Sequence, residues 1–206
     1  MKILLLALAA VFLSACAPSR PSLEPHQWLI NPQRSAEART PNSEYWLKVS
    51  AISIATPFDG KSLVYRIGEQ RYEKDFYNIY ISSPSEMLTN ATTQWINDSQ
   101  VFKVTVGQSN TFFPYYTLQA TVNEFYGDYR NQAEAVISIQ YYLTVISAGK
   151  TSPLIMAPKY SKRIPLKDNR PETLVAGLNR GLAEILAQFE QDLYQNSKNL
   201  PKAIGQ

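Results

Sequence analysis

Apolar and polar positions alternate with a period of two in several segments after residue 44, which predicts a β-rich domain. Residues 116–123 and 135–146 alternate most regularly, and Gly127 and Asp128 between them favour an antiparallel hairpin with one buried and one wetter face. Residues 45–55 carry apolar side chains on both faces, which predicts a central strand. The predicted strands cover residues 45–55, 63–67, 72–81, 101–106, 116–123, 135–146 and 154–164.

A period of about 3.6 residues predicts two helices. Ser83, Pro84 and Glu86 form a capping-box sequence with proline at the first helical position, and this helix ends at residues 97–99. The second helix carries one apolar stripe, formed by Leu174, Leu178, Leu182, Ile185, Phe189 and Leu193. Gly177 and Gly181 interrupt it, which suits a helix that approaches the sheet closely. We therefore expect an α+β fold, mainly an antiparallel sheet with two helices packed on one face.

The first fifteen residues have the features of a signal peptide. Met1 and Lys2 precede an unbroken apolar run of eleven residues, from 3 to 13. A helix of that length reaches only about half of the roughly 30 Å hydrocarbon layer, so it is too short to span a membrane. The run ends in Leu-Ser-Ala-Cys, which resembles the lipobox of bacterial lipoproteins and makes Cys16 the expected lipidation site. A plain secretory cleavage site is the alternative.

Residues 16–43 are predicted to be the lipidated cysteine and a flexible tether, and residues 44–200 a single domain. Five prolines interrupt the segment between residues 17 and 43, and no period of 2 or 3.6 survives them. His26, the sole histidine of the chain, lies in this segment, where a flexible chain supplies no fixed partner for catalysis.

Composition narrows the range of functions. The chain has 206 residues, 45% hydrophobic and 18% charged, with a formal net charge of +3 and no Lys/Arg-rich run, which argues against nucleic acid as a partner. One cysteine and one histidine leave little for metal or triad chemistry, and the sequence contains no phosphate-binding loop motif. We therefore expect no enzyme activity, no cofactor and no metal. A hydrolase would need a carboxylate pair such as Asp59 with Glu69 or Glu124 with Asp128, and no spacing rule selects either pair.

Several strings occur in the order typical of one family. They are residues 63–66 (Leu-Val-Tyr-Arg), residues 76–77 (Phe-Tyr), residues 84–88 (Pro-x-x-x-Leu) and residues 102–104 (Phe-x-Val). Together with the lipobox, the alternating hairpin and the last helix, they resemble the ABC-type transport auxiliary lipoproteins, also called PqiC-like or YmbA-like lipoproteins. The similarity covers most of residues 45–195, although residues 80–81 replace the Arg-Trp pair often found before the first helix.

This resemblance implies a non-catalytic periplasmic part of an envelope lipid-transport system. Such lipoproteins accompany MCE-domain (mammalian cell entry) proteins and an ABC-type permease and ATPase. The protein would dock the MCE assembly at the outer membrane and would be anchored to that membrane through its N-terminal lipid. The family resemblance also allows a homo-oligomer. Ala17 after the anchor favours the outer membrane over the inner one. The rival hypothesis is a stand-alone lipoprotein that binds a lipid or an envelope polymer, which a deep apolar cavity would favour.

Two surfaces are candidates for contacts. Phe112, Phe113, Tyr115 and Tyr116 surround a proline and either anchor a partner or begin a strand and fill the core. The aromatic side chains of residues 72–80 are open to the same two interpretations. A basic stretch either faces anionic lipid headgroups or guards a strand edge; it comprises Lys159, Lys162, Arg163, Lys167 and Arg170.

Overall fold

The structure, a computed structural model, describes residues 24–40, 43–111, 114–145, 153–197 and residue 200. Its ten strands are β1 His26–Trp28, β2 Ser43–Val49, β3 Ser53–Ile54, β4 Ser62–Arg66, β5 Tyr72–Tyr80, β6 Phe102–Val106, β7 Tyr116–Asp128, β8 Glu134–Val145, β9 Leu154–Met156 and β10 Lys159–Pro165. Its two α-helices are α1 Pro84–Ser99 and α2 Pro171–Ser197, and a single 3₁₀ turn covers Thr56–Phe58.

Strand β7 organises the sheet. Along its whole length it pairs antiparallel with β8, which confirms the predicted hairpin. Its other side pairs in succession with β2, β3 and β4, all parallel to it. The predicted strand over residues 45–55 is thus two strands that follow one another along β7.

The remaining strands extend the sheet on both sides. Strand β6 pairs with β2, β5 pairs with β4, and β1 pairs with β5, while β9 and β10 pair with β8. The longest pairings, β7 with β8 and β8 with β10, are antiparallel. The predicted α+β fold is confirmed, and several short parallel pairings make the sheet mixed.

Helix α2 lies very close to the sheet, as its glycines lead one to expect. All six residues of the predicted apolar stripe are buried. A Cβ atom on Gly177 would lie 2.5 Å from Leu166 Cδ2 and 2.9 Å from Ala135 Cβ, and one on Gly181 would lie 3.1 Å from Ile164 Cγ1. The distances at Gly177 leave no room for a methyl group and those at Gly181 leave little, so both glycines permit the close approach of the helix.

Helix α1 begins and ends where the sequence indicates. The Ser83 hydroxyl accepts a hydrogen bond from the Glu86 amide at 3.2 Å, and Gln100 closes the helix in the left-handed conformation with φ of 58°. Helix α1 packs against β2, β3 and β6, and α2 packs against β8 and β10. Because the helices also contact each other, they cover the same face of the sheet.

The prediction of a flexible tether up to residue 43 needs correction over residues 24–40. Strand β1 lies in this segment, Ile30 is buried in the core, and the Asn31 amide donates to Asn179 of α2 at 2.6 Å. The prolines remove any periodicity, yet an extended backbone can pair at a sheet edge and be held by individual hydrogen bonds. The predicted signal peptide, Cys16 and residues 17–23 lie outside the described residues.

Candidate functional site

The predicted aromatic partner site divides between core and surface. Tyr116 is fully buried, with its ring 5.8 Å from that of Phe102, so it fills the core, the second interpretation that the sequence left open. Tyr115 is half-buried, and its ring lies 4.8 Å from that of Tyr45. Phe112 and Phe113 lie outside the described residues. Tyr115 is thus the one described member that reaches the surface.

The predicted basic stretch is largely engaged in ion pairs. Arg163 binds Asp128 at 2.7 Å and Glu134 at 2.8 Å, Lys162 binds Glu184 at 3.1 Å, and Arg170 binds Asp168 at 3.0 Å. These acidic partners offset most of the positive charge that an anionic headgroup would need. The ion pairs therefore favour the interpretation that these charges guard a strand edge.

An aromatic bulge in β5 is the most exposed apolar feature among the described residues. Val64 of β4 pairs with Lys74, whereas Ser62 pairs with Ile79, so five steps along β5 oppose two steps along β4. The surplus residues form a bulge that carries Phe76 and Tyr77. Phe76 is 82% exposed and Tyr77 is 57% exposed, which is unusual for aromatic side chains in a sheet.

Asp75 fixes the shape of the bulge. Its Oδ1 atom accepts hydrogen bonds from the backbone amides of Tyr77 at 2.8 Å and Asn78 at 3.0 Å. Its Oδ2 atom accepts from the Tyr65 hydroxyl at 2.7 Å and from Asn78 Nδ2 at 2.9 Å. Four hydrogen bonds to one carboxylate hold the turn, so Phe76 and Tyr77 stand on a defined backbone.

The same network reaches the N-terminal segment. Trp28 of β1 donates from Nε1 to Asn78 Oδ1 at 3.0 Å, which joins β1 to the bulge through a side chain as well as through strand pairing. Burial works to raise the pKa of Asp75, but the hydrogen bonds from Tyr65, Tyr77 and Asn78 together hold it below its usual value. Burial, and then the bond to Asp75, raises the pKa of the Tyr65 hydroxyl, which therefore stays protonated as a donor.

A second carboxylate, Glu190 of α2, fastens the rest of the N-terminal segment. Arg34 approaches it with two nitrogens, Nε at 2.9 Å and Nη2 at 3.0 Å, and Arg39 Nε lies 2.9 Å away. Trp95 of α1 donates its indole hydrogen to the same carboxylate at 3.0 Å. Burial acts to raise the pKa of Glu190, and the hydrogen bonds from Arg34 and Arg39 outweigh it, so the pKa is lowered.

Three of the four carboxylates considered for hydrolysis, Asp128, Glu124 and Glu69, are engaged by neighbouring side chains. Asp128 is engaged by Arg130 at 2.8 Å and by Arg163, and hydrogen bonds from these arginines hold its pKa far below the usual range. Glu124 accepts a hydrogen bond from the Tyr126 hydroxyl at 3.0 Å, and Glu69 pairs with Arg130 at 2.8 Å. A general acid needs a raised pKa, and Asp128 has the opposite shift. Within the described residues, no cluster of three or more His, Cys, Asp or Glu side chains could hold a metal ion.

Two surface grooves lie beside the helices. One of about 440 Å³ lies along the beginning of α2, between Pro165 and Arg180. Another of about 450 Å³ lies between α1 and the loop of residues 107–110. The space between the sheet and the helices is filled by buried side chains, Tyr141 and Phe189 among them, whose rings stack at 4.1 Å.

The sequence left open whether Phe76 and Tyr77 contact a partner or fill the core. It gave no indication that Trp28 bonds to Asn78 beside them. A usable signal was present, because two adjacent aromatic residues flanked by Asp75 and Asn78 break the alternation of β5. Asp and Asn favour turns through side-chain bonds to nearby amides, so the string predicts a bulge inside a strand.

The domain thus carries a fixed, exposed aromatic bulge and two buried carboxylates, Asp128 and Glu190, that are engaged by arginines. Among the described residues, neither helix combines the length and the apolar character that a membrane-spanning helix requires. The model of a family described as the ABC-type transport auxiliary lipoprotein component matches residues 28–189. The chain therefore belongs to this family. No curated protein sequence is similar enough to count as a match.

Solved structures share the fold. An uncharacterized protein has 20% sequence identity and a TM-score of 0.64, over 82% of this chain and 99% of that one. Protein XCC0632 from Xanthomonas campestris has 15% identity and a TM-score of 0.68, over 85% of this chain and 96% of that one. The hypothetical protein CT253 from Chlamydia trachomatis has 8% identity and a TM-score of 0.51, over 74% and 99%. At these identities the likeness concerns the fold alone.

Proposed function

We propose that this protein is a non-catalytic, lipid-anchored component of an MCE/ABC-type envelope lipid-transport system. It is held at the periplasmic face of the outer membrane by a lipid on Cys16 and docks the periplasmic transport assembly there. The observation that carries the proposal is the family match over residues 28–189, which makes the chain an auxiliary lipoprotein of an ABC-type transporter. The lipobox ending in Cys16 supports the anchor.

The docking surface lies at the end of the sheet where β7 begins. Tyr115 is partly exposed there, and its amide donates to the Trp46 carbonyl at 3.2 Å. Leu154 of β9 lies at the same end of the sheet, because it pairs with Thr144, which pairs with Thr117 near the start of β7. Its side chain is 58% exposed. Apolar and aromatic side chains of this kind supply most of the energy of protein interfaces, which supports contact with an MCE-domain partner.

The filled interior supports docking over carriage of a lipid inside the domain. A stand-alone lipid carrier needs an apolar cavity that encloses most of its ligand. The described grooves lie at the surface, and the buried side chains between sheet and helices leave no comparable apolar chamber within the described residues. This argument favours the transport component over the rival hypothesis.

Site-specific photo-crosslinking in the native envelope tests the docking role. A benzophenone amino acid replaces Tyr115 in the full-length, lipidated protein, and a matched variant carries it at Gln132, an exposed position in the turn after β7. We expect a crosslink from position 115 to an MCE-domain protein and none from position 132. The absence of an MCE-domain protein from the crosslinked products at 115 would contradict the proposal, and crosslinks to lipid or polymer alone would favour the rival.

The anchor is tested separately. We expect mass spectrometry of the mature protein to find acyl chains on Cys16, and the Cys16→Ser variant to leave the membrane fraction. A bare terminus, or a variant that stays firmly bound to the membrane, would remove the basis for the anchored role.

A further inference from the structure

The exposed bulge lies beside the point where the chain enters the domain from the predicted anchor. Strand β1 runs parallel to β5, and its first residue, His26, pairs with Asn78. In this parallel register, the described residues just before His26 lie on the side of Tyr77 and Phe76. His26 lies ten positions after Cys16. A fully extended chain of that length spans at most about 35 Å, so a lipid on Cys16 keeps the start of β1 within about 35 Å of the membrane surface.

The side chains at this edge suit the interface between membrane and water. Tyrosine combines an apolar ring with a polar hydroxyl and is enriched at the level of lipid headgroups, and phenylalanine adds apolar area. Phe76 and Tyr77 are exposed and directly precede Asn78, with which His26 pairs, and the bonds to Asp75 hold their backbone in one conformation. Little conformational entropy is lost when such a preformed turn meets a surface.

We propose that Phe76 and Tyr77 insert into the lipid surface next to the anchor and so fix the orientation of the domain on the membrane. This inference rests on the proposed lipid anchor at Cys16. The acyl chains provide the affinity, and the bulge provides the second point of attachment that prevents free rotation about the tether.

The orientation that follows places the docking end of the sheet away from the membrane. The bulge lies opposite Leu63, which is level with Phe125 because Tyr65 pairs with Gly127, and Tyr116 lies nine steps back along β7. At about 3.3 Å per residue, the bulge and the surface around Tyr115 lie roughly 30 Å apart along the sheet. A domain attached to the membrane through the bulge therefore presents Tyr115 toward the periplasm, where it can contact a transport assembly.

A fluorescent thiol label tests membrane contact. The chain has one cysteine, Cys16, and its thiol is consumed when the lipid is attached, so a label reacts with an introduced cysteine alone. The full-length lipidated Tyr77→Cys protein, which keeps Phe76, is labelled and reconstituted into vesicles of phosphatidylethanolamine and phosphatidylglycerol. Leu154→Cys is the matched control, because Leu154 is as exposed as Tyr77 and lies at the opposite end of the sheet.

We expect the label at position 77 to shift to shorter wavelength and to become several-fold less accessible to aqueous iodide in vesicles, while the label at 154 stays accessible. Adding Phe76→Ser to the labelled protein should restore most of the iodide quenching at 77. Equal quenching at 77 and 154 in a protein shown to be lipidated would overturn the membrane contact and leave the proposed anchor and docking role intact.

A second copy of the chain and a free thiol at Cys16 each give a distinct result in the same experiment. Protection of the label at 77 in a Cys16→Ser background without vesicles would mean that a second copy of the chain covers the bulge, which also overturns the inference. Thiol labelling of the protein that carries no introduced cysteine would reveal a free Cys16. That result would contradict the proposed function itself.

Discussion

Helix α2 is attached to the molecule in two different ways. Along one face, apolar residues and two glycines press it against β8 and β10, and Phe189 stacks on Tyr141 with the ring planes 4° apart. At the adjoining position the charged side chain of Glu190 holds Arg34, Arg39 and Trp95. Apolar area secures the helix to the sheet, and directional bonds to one carboxylate secure the N-terminal segment to the helix.

The difference shows how a short segment with few apolar residues joins a domain. Residues 24–40 bury one hydrophobic side chain fully, Ile30, and one partly, Trp28, which is little apolar area to offset the entropy of ordering seventeen residues. The Glu190 carboxylate accepts hydrogen bonds directly from the arginines of the segment. Asp75 is linked to the segment through Asn78, which donates to Asp75 and accepts from Trp28. Attachment through hydrogen bonds to a carboxylate is sensitive to single substitutions and to acid. The apolar contact of α2 with the sheet is instead sensitive to changes in side-chain volume.

Truncation within the apolar contact should have the largest effect. Phe189→Ala removes a fully buried ring and leaves a cavity against Tyr141, and we expect it to lower the free energy of unfolding by about 4 kcal/mol. Denaturation in urea measures the change. Gln188→Ala, at an exposed neighbouring position, is the control and should change stability by less than about 0.5 kcal/mol. An equal effect of both variants would mean that helix content, rather than packing, sets the loss.

Removal of the buried carboxylate should have the next largest effect. Glu190→Ala leaves two arginines and an indole without their acceptor, and we expect a loss of about 3 kcal/mol. Trypsin should also cleave after Arg34 and Arg39 faster than in the native protein. Glu184→Ala, which breaks the more exposed pair with Lys162, should cost less than about 1 kcal/mol. Unchanged cleavage after Glu190→Ala would show that the segment is held by other contacts.

Addition of a methyl group tests the closeness of the apolar contact. Gly177→Ala improves helix propensity, but the new methyl collides with Ala135 and Leu166, so we expect a net loss of about 2 kcal/mol. Calorimetric unfolding measures it. Adding Ala135→Gly to the Gly177→Ala variant should relieve part of the collision, because it removes the Cβ atom that the new methyl group meets. A stabilised Gly177→Ala variant would show that the helix can move outward at little cost.

Acid should loosen the polar attachment and spare the apolar one. Because the pKa of Glu190 is lowered in the folded state, its contribution to stability is complete above its usual pKa of 4.5 and is lost as the pH falls through the folded-state pKa. Trypsin is replaced by an acid protease, and we expect cleavage within residues 24–40 to increase below about pH 4.5 before the domain unfolds. In Glu190→Gln this increase should vanish, because the segment is already loose at neutral pH.

Loss of one bond at the bulge should have the smallest effect. Tyr65→Phe removes the hydroxyl that donates to Asp75 and leaves three other bonds to that carboxylate, so we expect about 1 kcal/mol of destabilisation. The exposed Tyr77→Phe variant should be within about 0.5 kcal/mol of the native protein. A cost at Tyr65 no larger than that at Tyr77 would mean that the Asp75 turn does not depend on the hydroxyl.

Much of the fold could be predicted because its signals are local. The stripe from Leu174 to Leu193, the capping serine at 83 and the alternation of β7 and β8 each lie within one element, and the structure confirms them. The parallel pairings of β2, β3 and β4 along one side of β7 carry no such signal. Each depends on a neighbour that is distant in sequence, and short strands of similar composition can pair in several orders.

The candidate site was less predictable for the same reason. Tyr115 and Tyr116 are adjacent and chemically identical, yet one reaches the surface and the other fills the core, because the strand begins between them. Phe76 and Tyr77 are exposed because β5 carries surplus residues opposite β4, a mismatch that neither strand reveals alone.

The sequence by itself determined the class of fold, the two helices, the long hairpin and the family, since hydrophobic period and ordered motifs are properties of consecutive residues. The tertiary structure decided that residues 24–40 pack against the domain and that an aromatic bulge stands beside the chain entry. Those outcomes rest on Glu190 meeting Arg34 across 156 positions and Asn78 meeting Trp28 across 50. Hydrogen bonds between such distant side chains form only after the sheet and helices have brought them within about 3 Å.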